Sequence, residues 1–231
     1  MKLISRLACA AGLLAGLMPV VSCSSDDDNP VDPGNQQQSR VMAVHALSDG
    51  PAVDVLVDGV VVVPSLDYLG STVYLTVNAG TRNVRLNLAG TTNTLAESNL
   101  FVEGDRNNTV FVAGTAANAE VVMLDDDLSA PGPGQARVRF VHASLDAPAV
   151  DLAVAGGAVV FSNAVFKDDT PFLSIASGTY DLEVRDAGTV TVLLPVPSLT
   201  FEAGRIYTVY VRGLVAGTGA TALGASLLTH N

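Results

Sequence analysis

The chain has 231 residues, of which 48% are hydrophobic, with no Trp and 23 acidic against 12 basic residues. That length suits one large or two small domains, and a formal charge of −11 excludes a nucleic-acid-binding surface, since such a field repels phosphate. Strand formers dominate the apolar set and no Leu/Glu/Lys-rich helical stretch occurs, so an all-β protein is expected.

The first segment, residues 1–22, reads as an export signal. Lys2 and Arg6 precede an apolar run from Leu7 to Val21, which is too short and too poorly flanked for a membrane span. It ends at Val20-Val21-Ser22-Cys23, which resembles the lipobox of bacterial lipoproteins. That resemblance implies cleavage before Cys23 and acylation of Cys23 by diacylglyceryl and a palmitate-type chain. More than one acyl chain gives stable anchoring, so the membrane is an expected partner. The other cysteine, Cys9, falls in the signal, leaving an exported chain without disulfides.

Residues 23–39 are polar, acidic and interrupted by Pro30 and Pro33. They read as a disordered tether, reaching roughly 20–25 Å as a flexible coil. Ser24 after the Cys resembles an outer-membrane sorting signal, and Asp26-Asp27-Asp28 resembles acidic signals of surface lipoproteins. The expected location is therefore the cell envelope, at the outer membrane, on its periplasmic or exposed face.

Two tandem repeats follow, 40–124 and 137–231, joined by an acidic, Pro/Gly-rich linker at 125–136. Arg40 aligns with Arg137, His45 with His142, Pro51 with Pro148 and Asp54 with Asp151. Within each repeat short apolar runs alternate at period 2 between turn residues. "RVMAVHA" and "RVRFVHA" are first strands, and Asp58-Gly59 marks a hairpin. "STVYLTVNAG" and "NVRLNLAG" are expected to pair as a second hairpin. About seven or eight strands per repeat predict two immunoglobulin-like antiparallel β-sandwich domains.

The eleven-residue phrase "VHALSDGPAVD" returns as "VHASLDAPAVD". Its Asp and Pro residues suit a turn, and its antiparallel strands suggest a hydrogen bond between His45 and Asp54, and between His142 and Asp151. A catalytic pair with Ser48 or Ser144 would need a third group and an oxyanion site. The four residues therefore read as a structural turn motif rather than a functional one, with no catalytic residue, cofactor or metal expected. The alternative is a small-ligand or metal-binding module built on these turns. His230 reads as a solvated tail residue, since zinc needs three or four ligands. Asp125-Asp126-Asp127 lacks the spacing of a calcium loop and reads as solvated linker. Tyr68, Tyr74, Phe166, Phe172, Phe201, Tyr207 and Tyr210 read as core rather than as a sugar-stacking platform.

"RVRFVHASLDAPAVDLAV", "SGTYDLEVRDAG" and "LTFEAGRIYTVYVRG" resemble the bacterial domain-of-unknown-function 4397 family. The second repeat resembles it over nearly its full length. The first departs at "HALSDGPAVD" and "GDRNNTVFVAG", with Asn107 aligned to Tyr207. The resemblance implies a secreted or lipid-anchored envelope protein and brings no activity. The expectation is a non-enzymatic, lipid-anchored envelope protein with a structural role or a role in binding an envelope or extracellular macromolecule.

Overall fold

The structure is a computed structural model that describes residues 37–231. The expected signal, Cys23 and residues 24–36 of the tether lie outside the described residues. The first repeat contains β1 (Gln38–Leu47), β2 (Val53–Val57), β3 (Val60–Leu66), β4 (Leu75–Asn78), β5 (Gly80–Leu88), β6 (Thr94–Val102), β7 (Asn107–Thr115) and β8 (Asn118–Asp125). The second contains β9 (Gln135–His142), β10 (Val150–Val154), β11 (Val159–Ala164), β12 (Leu173–Ala176), β13 (Gly178–Asp186), β14 (Val192–Phe201), β15 (Ile206–Arg212) and β16 (Gly224–Thr229). Gln38 and Ser39, expected in the tether, begin β1, and Asp125, Gln135 and Ala136, expected in the linker, lie in strands.

Each repeat is an all-β, immunoglobulin-like sandwich of two four-stranded sheets. The orders are β4-β1-β7-β8 over β3-β2-β5-β6, and β12-β9-β15-β16 over β11-β10-β13-β14. Most neighbours are antiparallel, but β1 pairs with β7, and β9 with β15, in parallel. The chain passes through the whole second sheet between these partners, a crossover long enough to return it in the same direction. The expected hairpin between the segments of β4 and β5 does not form. β4 pairs with β1 and β5 with β2, so the chain changes sheets at Ala79-Gly80. Gly80 takes φ 105°, a conformation costly for any other residue. β6 and β14, which no sequence pattern singled out, close the outer sheets as edge strands. Pro195 and Pro197 are tolerated in β14 because an edge strand has one unpaired side.

Strand register equates the repeats residue by residue. Arg40 stands opposite Asn107, and Arg137 opposite Ile206. Met42 is thus the counterpart of Arg139, Thr109 of Thr208, and Asn108, rather than Asn107, of Tyr207.

The inner strands are buried on both faces. Ala43 and Leu47 of β1 enter the core of the first sandwich, whereas Met42, Val44 and Ala46 pack in a second cluster with Val141, Ala143 and Tyr210 of the other repeat. Sheets β4-β1-β7-β8 and β12-β9-β15-β16 therefore meet back to back. The Phe111 and Tyr210 rings, which are counterparts, meet edge to face with centroids 5.3 Å apart.

Candidate functional site

The repeated turn holds its residues by main-chain contacts. His45 Nε2–H donates to the Pro51 carbonyl at 2.9 Å, and the Leu47 N–H donates to Nδ1 at 3.3 Å. His142 does the same with the Pro148 carbonyl at 3.1 Å and the Ser144 N–H at 3.3 Å. These partners fix the neutral tautomer with its proton on Nε2. Burial holds both imidazoles below the ordinary histidine pKa, opposed by the proline carbonyls. Tyr68 and Phe166 cover the two rings edge-on, at centroid distances of 6.0 and 6.5 Å.

The expected His–Asp hydrogen bond is absent in both repeats, because each Asp binds main chain elsewhere. Asp54 accepts from the Ser65 N–H at 2.8 Å and the Gly90 N–H at 2.9 Å. Asp151 accepts from the Asn163 N–H at 2.7 Å and the Gly188 N–H at 3.0 Å. Ser65, Gly90, Asn163 and Gly188 all have positive φ, between 49° and 73°. Each carboxylate thus ties a left-handed bulge within one flanking strand, at Ser65 or Asn163, to the left-handed turn that follows the other, at Gly90 or Gly188. The two N–H donors hold the Asp54 carboxyl below the usual carboxylate range. The serines are occupied as well: Ser48 Oγ donates to the Gly114 carbonyl at 3.2 Å and Ser144 Oγ to the Gly213 carbonyl at 2.7 Å. Although the serines sit at different offsets from the histidines, they reach equivalent acceptors.

The groups that converge are different ones, and they lie between the repeats. Asp126 and His230, both expected in solvent, have fully buried side chains. Asp126 Oδ1 accepts from Arg139 Nη2 at 2.5 Å. Asp126 Oδ2 accepts from the hydroxyls of Tyr74 and Thr109, both at 2.7 Å. His230 Nδ1 lies 2.8 Å from the Tyr74 oxygen, and Nε2 lies 2.7 Å from Thr208 Oγ1. Arg139 Nε donates to the same Thr208 oxygen at 2.8 Å, and Nη1 to the Asp125 carbonyl at 2.8 Å.

One proton assignment satisfies every partner. Arg139 donates to Thr208, Thr208 to His230 Nε2, His230 Nδ1–H to Tyr74, and Tyr74 to Asp126, which also faces Arg139. The contacts close a ring whose histidine is neutral. Burial lowers the His230 pKa to about 4, with Asp126 opposing the shift and Arg139 reinforcing it. Burial, helped by the adjacent Asp126, pushes the Tyr74 phenol above its ordinary value. The Arg139 guanidinium also lies 4.8 Å from the centroid of the Phe172 ring, so a buried cation meets a π-face as well as a carboxylate.

Two open clefts flank this ring. One, of about 710 Å³, is lined by Arg40, Asp105, Arg106, Asp125, Asp127 and Ser129. The other, of about 470 Å³, is lined by Arg137, Asp169, Thr170 and Phe172. One ion pair joins their linings. Asp127 Oδ2 accepts from Arg137 at 2.6 Å, and this bond, with Ser129, holds its carboxyl far below the usual range. Asp169 is different: burial raises its pKa, and Arg139 Nη1 lies 3.9 Å away. Among the described residues no group of three or more His, Cys, Asp or Glu is placed to hold a metal ion.

Of the aromatic residues expected in the core, Phe201, Tyr207 and Tyr210 are buried, whereas Tyr68, Tyr74, Phe166 and Phe172 are half-buried. Sequence reading missed Tyr74, Thr109, Asp126, Arg139 and Thr208 as a set. The available signal was unequal polarity at equivalent positions. Met42 is apolar where Arg139 is charged, which leaves the cover of that strand face undecided.

The sequence model of a family described as "Domain of unknown function (DUF4397)" matches residues 39–153 and 146–229. No curated protein matches the chain. Among solved structures, the chain is similar to the family 26 carbohydrate-binding module CBMbc of Eubacterium rectale Amy13K, in complex with maltoheptaose. Identity is 10% over 83% of this chain and 96% of that one, with a TM-score of 0.27. It is also similar to the TIE protein of Bacillus anthracis, at 12% identity over 84% of this chain and 43% of that one, with a TM-score of 0.24. Neither likeness bears on function. The family matches together cover most of the described chain and both copies of the repeated turn, and the chain belongs to the DUF4397 family.

Proposed function

We propose that this protein is a non-enzymatic, lipid-anchored component of the cell envelope, held at the outer membrane by Cys23, with a structural or macromolecule-binding role. The anchor rests on the lipobox-like Val20-Val21-Ser22-Cys23, and the observation that carries the non-enzymatic reading is the state of the repeated motif. His45, Ser48 and Asp54, with His142, Ser144 and Asp151, all hold main-chain groups of the sandwiches. A nucleophile with its base, or a set of metal ligands, would leave these side chains facing one another across an accessible space. Here they stiffen turns. The back-to-back packing of the inner sheets makes the two repeats a stiff body suited to presenting a surface at the end of a tether.

The reading is tested by fractionating cells that express the wild type and Cys23→Ala. The wild type should sediment with outer membranes, and the variant should remain unprocessed or soluble. Unchanged membrane association of the variant would refute the anchor. Crosslinking in intact cells, with capture of the wild type, should then yield a dominant envelope or extracellular macromolecule. Recovery of a turnover activity that is lost on His142→Ala, with the fold intact, would refute the non-enzymatic assignment.

A further inference from the structure

The interface between the repeats has a self-complementary part and a part that is not. Most of its apolar contacts come from counterparts: Val44 and Val141, Phe111 and Tyr210, Leu124 and Leu228. Such a surface is the kind that pairs with a copy of itself through a two-fold axis. By itself it would let the first repeat pair with another first repeat, and the second with another second.

The polar ring breaks that equivalence. Leu124 stands opposite Thr109 and Leu228 opposite Thr208, so Asp126 and His230, each two residues further on, are counterparts. Their main chains agree: the Asp126 N–H donates to the Asn107 carbonyl and the His230 N–H to the Ile206 carbonyl, at 2.8 and 2.9 Å. Tyr74 precedes Leu75, which faces Val41, and Phe172 precedes Leu173, which faces Val138. The first repeat thus contributes a carboxylate and a phenol where the second contributes an imidazole and a phenyl ring. Arg139 replaces Met42. Of the ring's contacts, Arg139 to Asp126 and Tyr74 to His230 cross between the repeats.

We propose that this ring is a pairing code, which makes the face of the second repeat fit the first repeat and reject a second copy of itself. Two first repeats joined by the same two-fold would bury two Asp126 carboxylates with Met42 in place of the guanidinium. Two second repeats would bury two Arg139 guanidinium groups without Asp126, each left only with the exposed Asp169 carboxylate 3.9 Å from Nη1. Only the unlike pair sets the buried guanidinium against a buried carboxylate, and an uncompensated buried charge opposes association strongly. The linker then keeps together two surfaces that already select each other.

The test starts from the full chain with a protease site inserted between Pro133 and Gly134, both exposed. The cleaved protein is mixed with an isotope-labelled cleaved sample, held in mild urea to allow exchange, diluted, and weighed by native mass spectrometry. Exchanged complexes should contain one of each half, exceeding like pairs by about a hundredfold. Like pairs in comparable amounts, or halves that do not associate, would overturn the proposal. A second arm uses Arg139→Met with Asp126→Asn, which removes the two fully buried charges and keeps the apolar contacts. Like pairs should now form. Continued exclusion of like pairs in a folded double variant would show that the ring is not the code.

Discussion

Acid should loosen this protein through His230 in a pH range where surface carboxylates are still ionised. His230 is neutral in the ring, and its pKa there is about 4, against about 6.5 for histidine in an unfolded chain. The folded-state value is the lower one, so between these limits the unfolded state binds more protons. Stability is therefore complete above about pH 6.5 and falls as the pH drops towards about 4. A shift of this size corresponds to about 3 kcal/mol over the whole range, with a slope approaching 1.4 kcal/mol per pH unit near its middle. Protonation also has a local cost in geometry. A second N–H on the imidazole would face Thr208 Oγ1, which already accepts from Arg139. His45 and His142 shift in the same direction, so the comparison must be made against His230→Gln rather than against theory. Urea unfolding of both proteins, followed by tyrosine fluorescence at intervals from pH 7 to pH 4.5, gives the two slopes. The wild type should lose stability more steeply than the variant by about 1 kcal/mol per pH unit near pH 5. Parallel curves would refute a neutral His230 in the folded ring.

Asp151→Ala removes the acceptor for two N–H groups at left-handed residues, Asn163 in the β11 bulge and Gly188 in a turn. It should cost about 2–4 kcal/mol by urea unfolding, and Asp151→Asn, which keeps one acceptor oxygen, should cost about half as much. His142→Ala leaves the Pro148 carbonyl and the Ser144 N–H without their partner in a buried turn, with an expected loss of about 2–4 kcal/mol in the same assay. A neutral effect of either alanine variant would mean that water or a shifted turn replaces these contacts.

The sequence alone determined the repeat, the strand-rich fold and the turn positions. Repeated Val and Ala at period 2, with Gly, Pro and Asp at regular intervals, leave little choice between a sandwich and a helical fold. It also singled out His45, Asp54, His142 and Asp151 as a repeated turn motif. What it could not assign was each residue's partner. Antiparallel strands suggested His against Asp, yet the carboxylates reach turns on neighbouring strands that are 11 and 36 residues away in the first repeat. Partners at that separation depend on strand order and register, which local pattern does not encode.

The tertiary structure alone decided which surfaces are inside. Alternation along β9 separates Val138 and Phe140 from Arg139 and Val141, but says nothing about what covers the second set. Solvent is the default for a face that carries an arginine, and here the cover is the other repeat. The same ambiguity misplaced Asp126, in an acidic linker, and His230, one residue from the end of the chain. Composition and position along the sequence assign both to water. They are buried because two sheets with matching apolar faces press together, and a carboxylate or imidazole caught at that contact needs the partners that Arg139, Tyr74, Thr109 and Thr208 supply.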